Sequence, residues 1–270
     1  MTRVLSGAVL IAIVVAAVWF APPPLFFTLA ELLLLLAFIE YARLADASGL
    51  GVPRFAAGVA TLVTSMGLTS SLRIGDEILA NAVALDAVVL SAFVVLAAMS
   101  LTTWRGDRMA LAQAAAAVFP MLYLGLPFGT LIALRTMRGP AVLFLLLLTV
   151  MVSDTAQYYS GRWFGRRPLA AAISPKKTIE GAVGGFVFGA IILTVAGAWW
   201  LPGIPPAFRA LLGVAIVALG IVGDLFESML KRSAGVKDSS ALIPGHGGVL
   251  DRIDALLFAA PIYYVVLKYV

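Results

Sequence analysis

Residues 228 to 254, SMLKRSAGVKDSSALIPGHGGVLDRID, combine acids, cations, glycines and the single histidine, His246, in one polar stretch of an otherwise apolar chain. Asp251 and Asp254 are one helical turn apart at the predicted start of a helix. Carboxylate oxygens suit Mg²⁺, cations neutralise phosphate oxygens, and glycine backbone can form an anion-binding nest. The stretch therefore indicates a polyphosphate bound through Mg²⁺. Alternatively, His246 is a structural histidine and Asp251 a simple helix cap.

The preceding segment VGDLFESMLKR places Asp224, Glu227 and Lys231 at i, i+3 and i+7, with Ser228 at i+4, on one helical face. The turns before them are apolar, so these acids are expected at the membrane boundary. Ionisable groups there are retained mainly when they pair, bind an ion or line a wet cavity. The alternative is a stripe of salt bridges in which Lys231 pairs with Asp224 or Glu227.

A second cluster lies upstream, in SDTAQYYSGRWFGRR. Asp154, Tyr158 and Arg162 occupy one face of a predicted helix, at i, i+4 and i+8. Asp154 follows a long apolar run, so we expect it at membrane depth and facing the protein interior.

The segment ISPKKTIEG comes next. Ser174 and Pro175 resemble a helix start, which would put Lys176 and Lys177 near a helix N-terminus, where an anion can bind. Ordinary anchoring of positive charge on the cytoplasmic side is the alternative interpretation of the two lysines.

The composition tells which scaffold must position these groups. Of the 270 residues, 62% are hydrophobic and only 12% are charged, which is typical of a chain solvated mainly by lipid. The chain has no cysteine, which excludes disulfides, thiolate metal sites and cysteine nucleophiles.

The apolar stretches predict an all-α polytopic membrane protein with about nine transmembrane helices and no internal repeat. We interpret the first stretch as a retained helix rather than a cleaved signal peptide. The domains are predicted as 1–135, with N-terminal transmembrane helices, and 136–270, the catalytic transmembrane region. The nine predicted segments are 4–20, 25–42, 55–72, 78–100, 109–134, 140–160, 179–201, 207–230 and 254–269.

The distribution of positive charge predicts the orientation. With nine crossings, fourteen of the 19 lysines and arginines fall on the side of the N-terminus. The N-terminus and the polar segments 161–178 and 231–253 should therefore face the cytoplasm. Topology explains most of the basic charge, which argues against nucleic acid as a partner.

The stretch from Ser228 to Asp254 closely resembles the signature of the phosphatidate cytidylyltransferases, and SDTAQYYSGRWFG and SPKKTIEG resemble that family in the expected order. These motifs cover about the last 120 residues. The resemblance implies that CTP and phosphatidic acid give CDP-diacylglycerol and pyrophosphate, with one or two Mg²⁺ ions, at the cytoplasmic face of the cell membrane. It also implies a homodimer.

By the same resemblance, Asp224 and Asp251 are the first candidates for metal ligands, followed by Asp154 and Asp254. The other candidates are catalytic or substrate-binding groups. The catalytic ones are Lys231, Arg232, Lys237, Arg252 and His246. The substrate-binding ones are Ser174, Lys176, Lys177, Arg162, Asp238, Gly247 and Gly248.

Two other functions compete with this interpretation. A transporter or channel would have charges distributed along a pore and matching broken helices in two halves, which this sequence lacks. An enzyme that transfers a phospho-alcohol from a CDP-lipid would carry an aspartate motif of the form D-G-x2-A-R, which is absent here.

Overall fold

The computed structural model describes residues 2–70, 85–104, 106, 108–243, 245 and 247–270, and these are predominantly helical. A π-helical turn, Met121–Gly125, joins the helix Ala110–Pro120 to the helix Leu126–Arg138 without a break. The elements are α1 (Thr2–Phe20), α2 (Pro23–Ala47), α3 (Arg54–Ser70), α4 (Leu85–Thr103), α5 (Ala110–Pro120), α6 (Leu126–Arg138), α7 (Pro140–Phe164), β1 (Pro168–Ala170), β2 (Ser174–Thr178), α8 (Ile179–Trp200), α9 (Pro206–Ser233) and α10 (Leu250–Tyr269).

The apolar helices make this chain an integral membrane protein. Helices occupy all nine predicted segments, apart from the parts of two segments that fall in 71–84, outside the described residues. Within the described part of the chain, six helical stretches are long and apolar enough to cross a bilayer. They are Pro23–Ala47, Leu85–Thr102, Ala110–Arg138, Pro140–Phe164, Ile179–Trp200 and Pro206–Ser233.

A small hairpin departs from the all-helical expectation. Strands β1 and β2 pair antiparallel, with Pro168 opposite Thr178 and Ala170 opposite Ser174. The expectation of a helix start at Ser174 and Pro175 is therefore wrong, because both residues lie in a strand. The helix begins after Thr178, whose side chain accepts a hydrogen bond from Gly181 N and so caps α8.

The chain forms two compact units. Unit 1 contains residues 1–137 and 233–252, and unit 2 contains 138–232 and 253–270. The polar segment between α9 and α10 thus belongs with the N-terminal helices in its packing. The predicted functional division into 1–135 and 136–270 stays a prediction.

Unit 1 buries polar groups by bonding them to nearby backbone. Thr61 and Thr64 of α3 are buried, and each donates its hydroxyl to the carbonyl one turn earlier, at 2.7 Å. These bonds let a segment rich in Gly, Ser and Thr pack as a membrane helix. The Tyr41 hydroxyl donates to Ala116 O at 2.8 Å and links α2 to α5. At Gly125, a Cβ would lie only 2.6 Å from Thr61 O, so the helices meet backbone to backbone.

Unit 2 is held together by glycines at helix contacts. At Gly184 of α8, a Cβ would lie 2.1 Å from Ser160 Oγ of α7. At Gly213 of α9, a Cβ would lie 2.8 Å from Ala190 Cα of α8. Small residues let membrane helices approach closely where no hydrophobic effect drives them together. The glycines therefore set the positions of α7, α8 and α9, which carry candidate site residues.

We predict that Gly213→Ala lowers the thermal stability of the purified protein, because its methyl group would press on the α8 backbone; overpacking of this kind costs about 1–3 kcal/mol. Gly220→Ala on the same helix is the matched control, since its Cβ would lie 3.5 Å from Ala255 Cβ, an ordinary contact. Thermal unfolding in detergent compares the two variants. Equal midpoints would contradict the proposed tight contact at Gly213.

Candidate active site

Asp224 is paired with a cation from another element of unit 2. It is half-buried on α9 and forms a salt bridge with Lys177, which extends from strand β2. The Ser228 hydroxyl lies 3.4 Å from Asp224 Oδ1, one turn further along α9. A cation from the hairpin and an acid from the helix, which belong to two separate sequence motifs, are therefore brought together.

Glu227 and Lys231 form the second ion pair of α9. Glu227 is completely buried and Lys231 nearly so, and their side chains form an i, i+4 salt bridge. This agrees with the salt-bridge alternative for Glu227. It also means that Lys231, a predicted phosphate contact, is held on a carboxylate in this structure.

Asp254 lies near the acids of α9 because α10 contacts α9 at a glycine. At Gly223, next to Asp224, a Cβ would lie 2.4 Å from Asp254 O, so only glycine fits there. Asp254 lies close enough to Asp224, Glu227 and Asp154 to feel their like charges. These four carboxylates, which belong to three separate sequence motifs, thus interact electrostatically within unit 2.

Asp154 differs from its expected setting. It is exposed, whereas the preceding Ser153 is buried, so the expectation that Asp154 faces the interior is wrong. Gln157 Nε2 contacts both residues, donating to Asp154 Oδ1 and Ser153 Oγ at 3.1 Å. On the same face, Arg162 is exposed and its guanidinium lies 3.4 Å from the Tyr158 hydroxyl.

The hairpin that carries Lys177 is fastened to the start of α8. Glu180 lies in the first turn of this helix and accepts from Arg166 N at 3.0 Å and from Arg167 N at 3.2 Å. The Ile179 N–H donates to Arg167 O at 2.9 Å. An acid in the first turn also suits the helix dipole. Together with the Thr178 cap, these bonds fix the direction from which Lys177 reaches Asp224.

Unit 1 holds Asp251 in a separate arrangement. Its Oδ2 accepts from Ser239 N at 2.9 Å, from Ser239 Oγ at 2.8 Å and from Gly248 N at 2.8 Å. The backbone nest predicted for a phosphate is thus occupied here by a carboxylate of the chain itself. Gly247 has a φ of +78°, and a Cβ there would lie 2.6 Å from Asp251 Oδ2. Both glycines therefore serve the fold of this segment.

Glu40 is the residue that sequence reasoning missed. It is 2% exposed on α2 and accepts hydrogen bonds from Ser239, Ser240, Val249 and Leu250. The available signal was an acid within an apolar helix, since a membrane-embedded carboxylate is expected to have a partner. That partner lies about 200 residues away in sequence, where spacing arguments do not reach.

The remaining predicted site residues lie mainly at the surface. His246 is outside the described residues. Ser174 is half-buried on β2. The exposed residues are Lys176, Arg232, Lys237, Asp238 and Arg252.

The negative charge of the acids in unit 2 suits a divalent cation. Four carboxylates lie near two ion-paired lysines, which leaves a surplus of negative charge around Asp254. Among the described residues, no group of three or more acids or histidines has the geometry of a preformed metal site. Mg²⁺ is commonly held by one or two carboxylates together with substrate phosphates, so such a pattern suits Mg²⁺ bound with a nucleotide.

Comparison with known proteins decides the family. The model described as "Cytidylyltransferase family" matches residues 1–270. The chain belongs to this family. The match confirms the resemblance found in the motifs, and a cytidylyltransferase is an enzyme that uses CTP.

The chain spans about half the length of the curated relatives that it matches. A phosphatidate cytidylyltransferase from Synechocystis sp. is 48% identical over 134 residues, which is 48% of this chain and 44% of the relative. One from Helicobacter pylori strain J99 is 40% identical over 154 residues, 57% of each protein. One from Haemophilus influenzae is 46% identical over 133 residues, 45% of this chain and 44% of the relative.

The buried ion pair of α9 yields a stability prediction. Glu227→Gln leaves the Lys231 ammonium without its counter-charge, and Lys231→Met leaves the Glu227 carboxylate; breaking a buried pair costs about 3–5 kcal/mol. We expect Lys231→Met to cost more, because Glu227 is the more deeply buried of the two groups and lies near the other acids of unit 2. The double variant should recover much of the loss. Thermal unfolding in detergent measures all three, and strictly additive losses would contradict the pairing.

Proposed function

We propose that this protein is a phosphatidate cytidylyltransferase. It would transfer the cytidylyl group of CTP to phosphatidic acid, giving CDP-diacylglycerol and pyrophosphate for phospholipid synthesis. The observation that carries the proposal is the group of acids around Asp254, with Lys177 held on Asp224, in a member of the cytidylyltransferase family. The curated relatives support the choice of phosphatidate as the acceptor.

The proposed reaction is an in-line displacement at phosphorus. An oxygen of the lipid phosphate attacks the α-phosphorus of CTP, and the bond from that phosphorus to the α,β-bridging oxygen breaks, so that pyrophosphate leaves. A phosphate monoester has its second pKa near 6, so the nucleophile is already largely dianionic at neutral pH. A strong general base is therefore unnecessary, and the protein must mainly align and neutralise two anionic substrates.

The side chains divide this work by charge. We propose that Asp224 and Asp251 are the main metal ligands and that Asp154 and Asp254 assist. Bound Mg²⁺ would neutralise the triphosphate and polarise the α-phosphorus. Lysine and arginine side chains would contact phosphates: Lys176, Lys177, Lys231, Arg232, Lys237 and Arg252. We also propose that six further residues contribute to catalysis or substrate binding: His246, Arg162, Ser174, Asp238, Gly247 and Gly248.

For Lys177 and Lys231, the salt bridges suggest how the cations are kept ready. Each ammonium is held on a carboxylate in the absence of substrate, so neither group is left uncompensated near hydrocarbon. When an anionic substrate brings its own charge, Lys177, the more exposed of the two, can contact phosphate while Asp224 serves the cation.

The membrane arrangement follows from the two substrates. We propose nine transmembrane helices, a cytoplasmic N-terminus and an active site at the cytoplasmic face of the cell membrane, where water-borne CTP meets a lipid. The excess of positive charge on that side supports the orientation. Assembly as a homodimer remains part of the proposal by family resemblance.

The orientation can be tested by cysteine labelling, because the natural chain has no cysteine. We predict that Ala241→Cys reacts with a membrane-impermeant maleimide only in inverted vesicles. Gly203→Cys, in the exposed connection between α8 and α9, should react only in intact cells. The reversed pattern would overturn the proposed topology.

The activity is tested with purified protein in detergent. We expect Mg²⁺-dependent release of pyrophosphate from CTP that requires phosphatidic acid. Asp224→Asn should lower the rate roughly 100-fold or more, because it removes a charge that holds the cation. Asp46→Asn is the control, since Asp46 pairs with Arg54 at the end of α2.

Each result of this assay has a consequence. Release without phosphatidic acid would point to a different acceptor. No release from folded protein supplied with metal and lipid would overturn the proposed reaction and favour the transporter alternative. Equal losses in Asp46→Asn and Asp224→Asn would overturn the special role of Asp224.

A further inference from the structure

Glu40 has a complete set of hydrogen bonds from one polar segment. Its Oε2 accepts from Ser239 Oγ at 2.9 Å and from Leu250 N at 2.8 Å. Its Oε1 accepts from Ser240 Oγ at 2.7 Å and from Val249 N at 3.0 Å. A carboxylate offers about four acceptor positions, and a donor group faces each of them in Glu40, with the Ser239 hydroxyl shared with Asp251. In this arrangement the acceptor positions of Glu40 are taken up by the protein itself. Glu40 therefore affects the site by holding these donor groups in place.

The four donors come from the two ends of one segment. Ser239 and Ser240 lie at its start, and Val249 and Leu250 lie at its end. Between these ends runs the glycine-rich part of the signature. Glu40 therefore closes the segment into a loop and fastens the loop to helix α2. Fixing both ends removes conformational freedom that a glycine-rich chain would otherwise keep.

Glu40 also caps helix α10 from a distant helix. The N–H groups of Val249 and Leu250 are at the start of α10 and lack acceptors within that helix. A buried carboxylate at this position satisfies both groups and interacts favourably with the positive end of the helix dipole. The start of α10, next to Asp251, is thereby held in place.

Ser239 connects Glu40 to Asp251. Its hydroxyl lies 2.9 Å from Glu40 Oε2 and 2.8 Å from Asp251 Oδ2, and its N–H also donates to Asp251. A hydroxyl carries one hydrogen, so the two carboxylates share a single donor. The position and charge of Glu40 therefore influence how Ser239 supports Asp251.

Glu40 and Ser239 pack so closely against Gly248 that a larger residue does not fit there. At Gly248, a Cβ would lie 2.4 Å from Glu40 Oε2 and 2.2 Å from Ser239 Oγ. The glycine is therefore required by the contact between the loop and Glu40, independently of any phosphate.

We propose that Glu40 is a positioning residue for the active site, which holds the segment 239–250 on α2 and so orients Asp251. The catalytic consequence rests on the proposed function, because it depends on Asp251 serving the metal. The structural consequence, that Glu40 keeps the segment closed, can be measured without any activity.

The first measurement is amide hydrogen exchange of the full-length protein in detergent. Glu40→Gln keeps the shape of the side chain but replaces one acceptor oxygen by an NH2 donor. The backbone N–H at that position, of Val249 or Leu250, then loses its acceptor, and the serine hydroxyl beside it must turn to accept. We expect the amides of Gly248, Val249 and Leu250 to exchange about tenfold faster, with the rest of unit 1 unchanged.

Glu31→Gln is the matched control. Glu31 is also buried on α2, at 8% exposed, but it lies nine residues earlier. At 100° per residue, that spacing places it on the opposite face of the helix. The same substitution there should leave the exchange of residues 248–250 unchanged.

The second measurement is the dependence of pyrophosphate release on Mg²⁺ concentration. For Glu40→Gln we expect the half-maximal Mg²⁺ concentration to rise about tenfold, as for other groups that orient a metal ligand. A simple loss of stability would instead reduce the amount of active enzyme and leave the half-maximal concentration where it is.

The two measurements separate the proposals. If wild-type protein releases no pyrophosphate, the proposed function is wrong. Hydrogen exchange then still tests whether Glu40 holds the segment in place. Unchanged exchange at residues 248–250 in Glu40→Gln, or a uniform increase over unit 1, would overturn the positioning role. So would faster exchange with an unchanged Mg²⁺ dependence in active enzyme.

A milder variant covers the case in which Glu40→Gln does not fold. Ser240→Ala removes one of the four donors to Glu40 and leaves the carboxylate in place. We expect a smaller increase in exchange, confined to the same amides. The absence of any increase in that variant would equally contradict the proposal.

Discussion

A carboxylate at the edge of hydrocarbon stays ionised only when donors or cations surround it, and each unit of this protein is organised around that requirement. In unit 1, Glu40 is surrounded by four donors from hydroxyl and backbone groups. In unit 2, Asp224 and Glu227 each have a lysine. The hydrogen bonds to Glu40 stabilise a loop, whereas the salt bridges of unit 2 hold lysines next to acids.

Backbone contact at glycines makes the second arrangement possible. Gly184 lets α8 approach α7, Gly213 lets α9 approach α8, and Gly223 lets α10 approach α9. The acids of unit 2 are neighbours because these helices lack side chains where they meet. Large apolar residues at the same positions would satisfy the hydrophobic pattern equally well but would separate the acids. The chemistry of this unit therefore depends on residues that carry no functional group.

The sequence was sufficient to predict the helices and most of the polar groups, since long apolar segments and charged motifs are local features. It placed Asp224, Glu227 and Lys231 on one face of α9, and the salt bridge of Glu227 follows from that spacing. It did not predict the hairpin that carries Lys177, because SPKKT has the composition of a helix start. It also missed Glu40, whose donors are distant in sequence and become neighbours only through tertiary packing.

The bonds of Glu40 have a consequence for the order in which the protein is built. They join residues separated by 199 to 210 positions, so they cannot form until residues 239 to 250 have been synthesised. Until then, α2 carries a buried acid without its native donors, in a chain that is already entering the membrane. Residues 239–250 supply the missing groups after the helices α2 to α9 have been synthesised. The glycine-rich loop is thus completed after the helices that precede it, and a chain truncated before Ser239 would leave Glu40 without these four donors.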